Sequence, residues 1–198
     1  MISLYTIKPA FQNFLRPVLK YLHKRHVTAN QITLVAVLLS ILMGTGFFFY
    51  KDYPILLLLI PLGYLLRMTL NALDGMMATE YNMKSKLGEI LNELGDVISD
   101  IAIIIPMVLI PKMNPWVIIG FAFLAVINEF AGVLAKSVSG RRHYEGPMGK
   151  SDRALLIGLF CIVYFFWTDI ENYTDWIFGI GSLLIIISTF SRLKNSLK

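Results

Sequence analysis

Cysteine is almost missing. Cys161 is the single one in 198 residues, and it sits inside an apolar run. That excludes an internal disulfide and a cysteine metal cluster. It leaves a buried or lipid-facing thiol as the reading. Charge is scarce too: Asp, Glu, Lys and Arg make up 16% of the chain. A soluble domain of this size carries about 25%. Apolar residues take their place, reaching 56%, and the mean hydropathy is +0.65. They gather in long runs, which points to an integral membrane protein. The first run follows a basic N-terminal region of 29 residues. It is too long for the core of a signal peptide, and no small-residue cleavage site follows it. A net charge of +5 raises nucleic acid as a partner, but its placement along the chain follows membrane topology instead. No nucleic-acid partner is expected. Neither an internal repeat nor a low-complexity tract is evident.

Residues 7–26 mix apolar and basic positions. Phe11, Leu15, Val18, Leu19 and Leu22 recur at helical spacing, with Lys20, Lys24 and Arg25 largely off that stripe. This predicts an amphipathic helix on the membrane surface, kinked or restarted at Pro17. Six spans are expected after it, at about 30–50, 54–79, 86–110, 115–137, 153–168 and 174–191. The fifth is short, and a start near Gly149 would lengthen it. With the N-terminus inside, Lys8, Arg16, Lys20, Lys24, Arg25, Lys84, Lys86, Lys136, Arg141, Arg142, Lys150, Arg153, Arg192, Lys194 and Lys198 all fall on the cytoplasmic side. Only Lys51 and Lys112 fall outside, and Arg67 lies within a span. The positive-inside rule therefore sets both termini in the cytoplasm. The fold class is all-α integral membrane: six transmembrane helices plus an N-terminal amphipathic surface helix. Residues 1–198 form a single domain.

One stretch is too polar for its setting. Asn71, Asp74, Glu89, Asn92, Glu93, Asp96 and Asp100 sit between apolar runs, on two helices joined by the polar turn from Glu80 to Lys86. Intramembrane acids mark a functional site by default. At 100° per residue, Arg67, Asp74 and Ala78 lie within about 60° of Asn71 on one face. Asn92, Glu93, Asp96 and Asp100 lie within about 60° of Glu89 on another. The second and third spans run antiparallel, so Asn71 and Asp96 reach similar depth, with Asp74 and Asn92 nearer the cytoplasm. Arg67 and Asp100 lie about 6 Å deeper. Converging oxygen ligands suit a hard cation such as Mg²⁺, Mn²⁺ or Ca²⁺, which would bind a diphosphate. Interhelical hydrogen bonding without a ligand is the plain alternative.

These residues carry a resemblance. Asp74-Gly75-x-x-Ala78, then Gly88-x-x-x-Asn92-x-x-x-Asp96, resembles the signature of the CDP-alcohol phosphotransferase (CDP-alcohol phosphatidyltransferase) family. That signature reads D-x-x-D-G-x-x-A-R, eight residues, then G-x-x-x-D-x-x-x-D, and eight residues likewise separate Thr79 from Gly88. Thr28-Ala-Asn30-Gln-Ile-Thr33 is similar to the family's T-P-N-x-x-T element, and Gly149-Lys150 to its later G-K motif. The resemblance implies transfer of a phosphate-linked group from a CDP-linked donor, commonly CDP-diacylglycerol, to a small alcohol, releasing CMP. It implies a divalent cation, Mg²⁺ or Mn²⁺, on Asn71, Asp74, Asn92 and Asp96. Asp96 would be the catalytic base. Asn30, Thr33, Asp74, Gly75, Ala78 and Gly88 would bind the donor. It further implies work at a bilayer, on the cytoplasmic face of an inner membrane, in a homodimer.

Three positions depart from the signature. Asn71 and Asn92 stand where the family has aspartates, and Thr79 where it has arginine. A carboxamide oxygen still ligates, but two negative charges are gone. The expectation is one tightly held ion or two weakly held ones, with Glu89 or Glu93 as further oxygen donors. Arg67 is expected to pair with Asp100 or with Glu129 of the fourth span. Arg141, Arg142 and Lys150, with Arg153 just beyond, form a basic cluster that holds a phosphate of donor or acceptor. The competing reading is a topology signal near anionic lipid. His143 and Tyr144 lie in the same loop, where a lone histidine is usually solvated. Asn30 and Thr33 open a helix and are capping candidates. Two rival functions remain open: a non-catalytic CDP-lipid-binding relative, and a small transporter.

Overall fold

The computed structural model describes residues 4–143 and 145–198, with side chains from Phe11 onward. The side chain of Lys8 and all of Tyr144 lie outside the described residues. Seven α-helices follow in order: α1 (Leu4–Lys24), α2 (Ala29–Phe49), α3 (Ile55–Glu80), α4 (Lys86–Ile104), α5 (Pro115–Ser139), α6 (Lys150–Phe166) and α7 (Thr174–Ser196). Short 3-10 turns follow α4 and α6, and no strand occurs among the described residues. α1 runs through Pro17 without a break, where a kink or restart was expected. The expected third span also ends differently. Its α-helix stops at Ile104, and Pro106, which cannot donate a backbone hydrogen bond, sits in the 3-10 turn Ile105–Leu109.

Among the described residues, four helical stretches are long and apolar enough to cross a membrane: Ala29–Phe49, Ile55–Glu80, Pro115–Ser139 and Thr168–Ser196. The other two expected spans are helical but differ in kind. α4 carries Glu89, Glu93, Asp96 and Asp100, which depress its hydropathy. α6 has only 17 residues. Length and hydropathy describe single helices and do not see which polar groups are neutralised by neighbours.

Sequence determines where these helices start. Thr28 caps α2: its Oγ1 accepts from the Gln31 backbone N–H at 3.3 Å, and the Gln31 side chain accepts from the Thr28 N–H at 2.9 Å. The cap is therefore Thr28, in extended conformation, with Asn30 in the first turn after it and Thr33 in the second. That leaves both side chains free to face a neighbour. Ser85 caps α4, accepting from the Gly88 N–H at 3.0 Å. Asn114 caps α5 through the Trp116 N–H at 3.0 Å.

α2 packs on α3 and α4, α3 on α6, α4 on α5, and α5 on α7. Close approach of α2 to α4 depends on glycine. A Cβ at Gly44 would overlap the Ala102 carbonyl oxygen, and one at Gly95 would come within 2.9 Å of Val37. Apolar residues form two clusters. The larger joins Phe47, Tyr64, Ile103, Phe121, Phe160 and Phe178, and the smaller joins Leu15, Leu19, Ile32, Leu73 and Met77. Arg67 and Asn71 of α3 come between its larger-cluster residues (Leu57, Ile60, Tyr64) and its smaller-cluster residues (Leu73, Met76, Met77), with Asp74 beside Leu73. The polar layer is thus bounded by hydrocarbon packing on both sides. In α1, Leu15 and Leu19 are buried against the bundle, while Phe14, Val18 and Tyr21 are exposed on its other flank. An apolar flank of this kind is free for lipid.

Candidate active site

Three helices bring the motif residues to one polar cavity of about 660 Å³. Asn30 and Thr33 come from α2; Asn71, Asp74, Gly75 and Ala78 from α3; Gly88 and Asn92 from α4. Thr33 donates its hydroxyl to Asp74 Oδ2 at 2.8 Å, which orients a buried carboxylate. Asn30 lies across Gly88: a Cβ there would stand 2.7 Å from Asn30 Oδ1. The glycine therefore keeps α4 open to the α2 side chain. Glu89 and Lys136 pair at the rim.

A second cavity, of about 370 Å³, adjoins the first, and Asn92 lines both. Its other walls include Asp96, Glu129, Arg142, Lys150, Asp152 and Arg192. Lys150, in the first turn of α6, donates to Asp96 Oδ1. Arg67 NH2 stands 3.6 Å from the same oxygen. Lys150 also lines a smaller cavity of about 220 Å³ with Arg67 and Asn71.

Beneath these cavities the charges alternate in a chain. Arg67 donates to Asp100 Oδ1 at 3.2 Å. Arg153 donates to Asp100 Oδ2 from NH2 at 2.6 Å and from Nε at 3.1 Å, and from NH2 to Glu129 Oε1 at 2.7 Å. Arg142 donates to Glu129 Oε2 at 2.7 Å and pairs with Glu93. Three guanidiniums meet three carboxylates, so each buried charge is matched. Of the two partners expected for Arg67, the structure pairs it with Asp100. Glu129 takes Arg153 and Arg142 instead, because α5 faces α4 while α6 supplies the arginine between them.

The basic cluster separates. Arg142 and Lys150 line the second cavity, and Arg153 is 1% exposed with its hydrogen bonds made to protein groups. Arg141 is exposed and lines neither polar cavity. His143 is buried rather than solvated: Nδ1 lies 3.0 Å from Glu145 and Nε2 lies 3.2 Å from Ser139 Oγ. Glu93 is paired with Arg142 and Glu89 with Lys136, and Glu89 also lines the first cavity. The structure also adds Arg192, which sequence reasoning counted only as a topology charge. It lines the second cavity and donates to the Asn128 carbonyl at 2.8 Å, and its buried Nε has no hydrogen-bond partner. No local pattern around Arg192 distinguishes it from an ordinary cytoplasmic-end arginine.

Of the four expected ligands, the first cavity gathers one carboxylate and two carboxamides, at Asp74, Asn71 and Asn92, while Asp96 lines the second and is bonded by Lys150. The gathered set suits one hard divalent ion. Among the described residues, no group of three or more His, Cys, Asp or Glu could hold an ion by itself. Carboxamide and substrate oxygens would have to complete the shell.

Motif residues of α2, α3 and α4 around one cavity, with a lysine of α6 lining the next, define a class. The model of the CDP-alcohol phosphatidyltransferase family matches residues 26–188, and the chain belongs to that family. Among particular relatives, it is 44% identical over 196 residues to inner membrane protein YnbA of Escherichia coli (strain K12), covering 99% of this chain and 97% of that one. An uncharacterized protein of Aquifex aeolicus (strain VF5) is 30% identical over 94 residues, or 48% of this chain and 45% of that one. The fold matches Mycobacterium tuberculosis phosphatidylinositol phosphate synthase PgsA1. With CDP-DAG bound, that structure gives a TM-score of 0.72 at 16% identity, covering 92% of each chain. In complex with manganese and citrate it gives 0.75 at 17% identity, covering 92% of this chain and 88% of that one. At such identities the likeness shows the fold. The apolar helices and the inner-membrane relative make this chain a membrane protein.

Proposed function

We propose that this protein transfers a phosphatidyl group from CDP-diacylglycerol to a small alcohol and releases CMP. The supporting observation is the convergence of Asn30, Thr33, Asn71, Asp74, Gly88 and Asn92 on one cavity that shares Asn92 with a second, cationic one. The first cavity takes the cytidine diphosphate. The second takes the acceptor, with Arg142, Lys150 and Arg192 facing it. An apolar groove of about 490 Å³ between α4 and α5, lined by Ile90, Leu94, Val126, Phe130 and Val133, offers room for an acyl chain.

A divalent ion, Mg²⁺ or Mn²⁺, would be held by Asp74 and the carboxamide oxygens of Asn71 and Asn92, and would stabilise charge on the diphosphate, while Asp96, expected from the signature as a fourth ligand, is left as the base. The chain's own residues do the rest. Thr33 holds Asp74 in place, and Asn30 over Gly88 shapes the nucleotide end. The acceptor hydroxyl oxygen bonds to the β-phosphorus, the bond from that phosphorus to the bridging oxygen breaks, and CMP leaves. Asp96 takes the hydroxyl proton. Its Oδ1 is held by Lys150 and Arg67, so Oδ2 is the oxygen for that proton. Arg67, Asp100, Arg153 and Glu129 keep the helices in register. Positioning and charge stabilisation supply most of the rate.

In this reading α4 and α6 also cross the bilayer, giving six spans with both termini and the site on the cytoplasmic side of an inner membrane. The protein works as a homodimer. Asn71 and Asn92 favour one rival, a relative that binds the donor without turnover. The test is metal-dependent CMP release from CDP-diacylglycerol with pooled acceptors: glycerol 3-phosphate, inositol phosphate, serine and unphosphorylated polyols. Release that needs both an acceptor and Asp96 supports the enzyme, and splitting the pool names the acceptor. Donor binding without release in the wild type, as in Asp96→Ala, would leave the non-catalytic relative.

A further inference from the structure

We propose that Lys150 is a built-in cation of the site, standing where a second divalent ion would otherwise be needed, so that one ion binds per chain. The inference rests on reading this cavity as a diphosphate site, and it comes from counting charge around the cavity. Arg67, Arg153 and Arg142 are matched by Asp100, Glu129 and Glu93. Lys136 is matched by Glu89. That leaves Asp74 on α3 and Asp96 on α4, in the two cavities that Asn92 shares, besides Asp152 of α6. Lys150 already bonds Asp96, and Arg67 NH2, which has no hydrogen-bond partner of its own, stands 3.6 Å from it. Asp74 accepts from the Thr33 hydroxyl and has no cation within 4.0 Å among the described residues. The flanking groups, Asn71 and Asn92, are neutral.

One carboxylate, two carboxamides and a diphosphate can neutralise one divalent ion. A second ion would face Asp96 across an ammonium and a guanidinium beside its Oδ1, and the other acid of that cavity without a cation partner among the described residues, Asp152, accepts the Gly149 N–H. Lys150 is fixed for this task by the fold. Gly149 is the N-cap of α6 and its N–H donates to Asp152 at 3.0 Å, which anchors the turn carrying the lysine. The three cavities meet around its side chain: it lines two of them, and Asn71 and Asn92 link these to the third.

The test counts ions rather than turnover. Purified full-length protein in detergent is titrated with Mn²⁺ in the presence of CDP, and free Mn²⁺ is followed by electron paramagnetic resonance. The wild type is expected to bind one ion. Lys150→Met frees Asp96 and removes a nearby positive charge, so Mn²⁺ binding should tighten by about tenfold. A lysine that served only packing would not tighten metal binding when removed. Adding Asn71→Asp and Asn92→Asp to Lys150→Met should raise the count to two. Two ions or none in the wild type overturns the proposal. So does a Lys150→Met variant that binds Mn²⁺ no more tightly, with its monodispersity in detergent checked alongside. One bound ion without CMP release would overturn the catalytic reading and leave the role of Lys150 standing.

Discussion

Arg153→Met tests the buried charge chain most directly. The guanidinium is 1% exposed and bridges Asp100 on α4 to Glu129 on α5, with a fourth hydrogen bond to the Met148 carbonyl at 3.3 Å. Methionine fills much of the same volume but leaves both carboxylates short of a cation. Removing one partner of a buried pair costs about 3–5 kcal/mol. For a chain of this length, each kcal/mol moves the melting temperature by about 2–4 °C, so a fall of about 6–20 °C is expected. Cys161 supplies the assay, because it is the single cysteine and fully buried on the same helix. A thiol-reactive fluorophore then reports unfolding during a thermal ramp. The companion variant adds Glu129→Gln. Asp100 then keeps Arg67, and Arg142 keeps Glu93, so every remaining charge has one partner. This double variant should melt above Arg153→Met. A single variant within about 2 °C of wild type, or a double variant that melts lower still, would refute the reasoning.

Two further substitutions probe how the cavity is built. Gly44→Val forces α2 away from the Ala102 carbonyl of α4 and should cost about 1–3 kcal/mol or more, read by the same thermal ramp; an unchanged melting temperature would show that the helices need no such contact. Thr33→Val removes the hydrogen bond to the Asp74 carboxylate, a bond of a kind worth about 1.5–3 kcal/mol, and CDP binding followed by calorimetry should weaken by roughly tenfold or more. Equal affinity for CDP in the two proteins would remove Thr33 from the donor site.

Much of the helical layout was readable because it depends on short-range chemistry. Apolar run length places α2, α3, α5 and α7, and the turn between Glu80 and Lys86 separates α3 from α4 as the polar residues suggest. Local signals failed where several compete. Thr28, Asn30 and Thr33 all suit a cap, and only the backbone geometry assigns the task to Thr28. The end of α4 was missed because Pro106 lies in an apolar run that hydropathy alone extends.

The sequence by itself determined the membrane class, the helical periodicity and the spacing that sets Asn71 and Asp74 on one face of a helix and Asn92 and Asp96 on one face of the next. These follow from composition and from 3.6 residues per turn, which act within a single segment. Tertiary structure decided which charges meet. Arg67 could reach Asp100 or Glu129 by helical geometry alone. The packing of α6 against α3, and of α4 against α5, puts Arg153 between those acids and Lys150 on Asp96. Arg192 joins the site for the same reason, anchored on the Asn128 carbonyl through contact of α5 with α7. A charge in a water-excluding bundle takes its partner from the neighbouring helix, and helix adjacency is not written in any one helix's sequence.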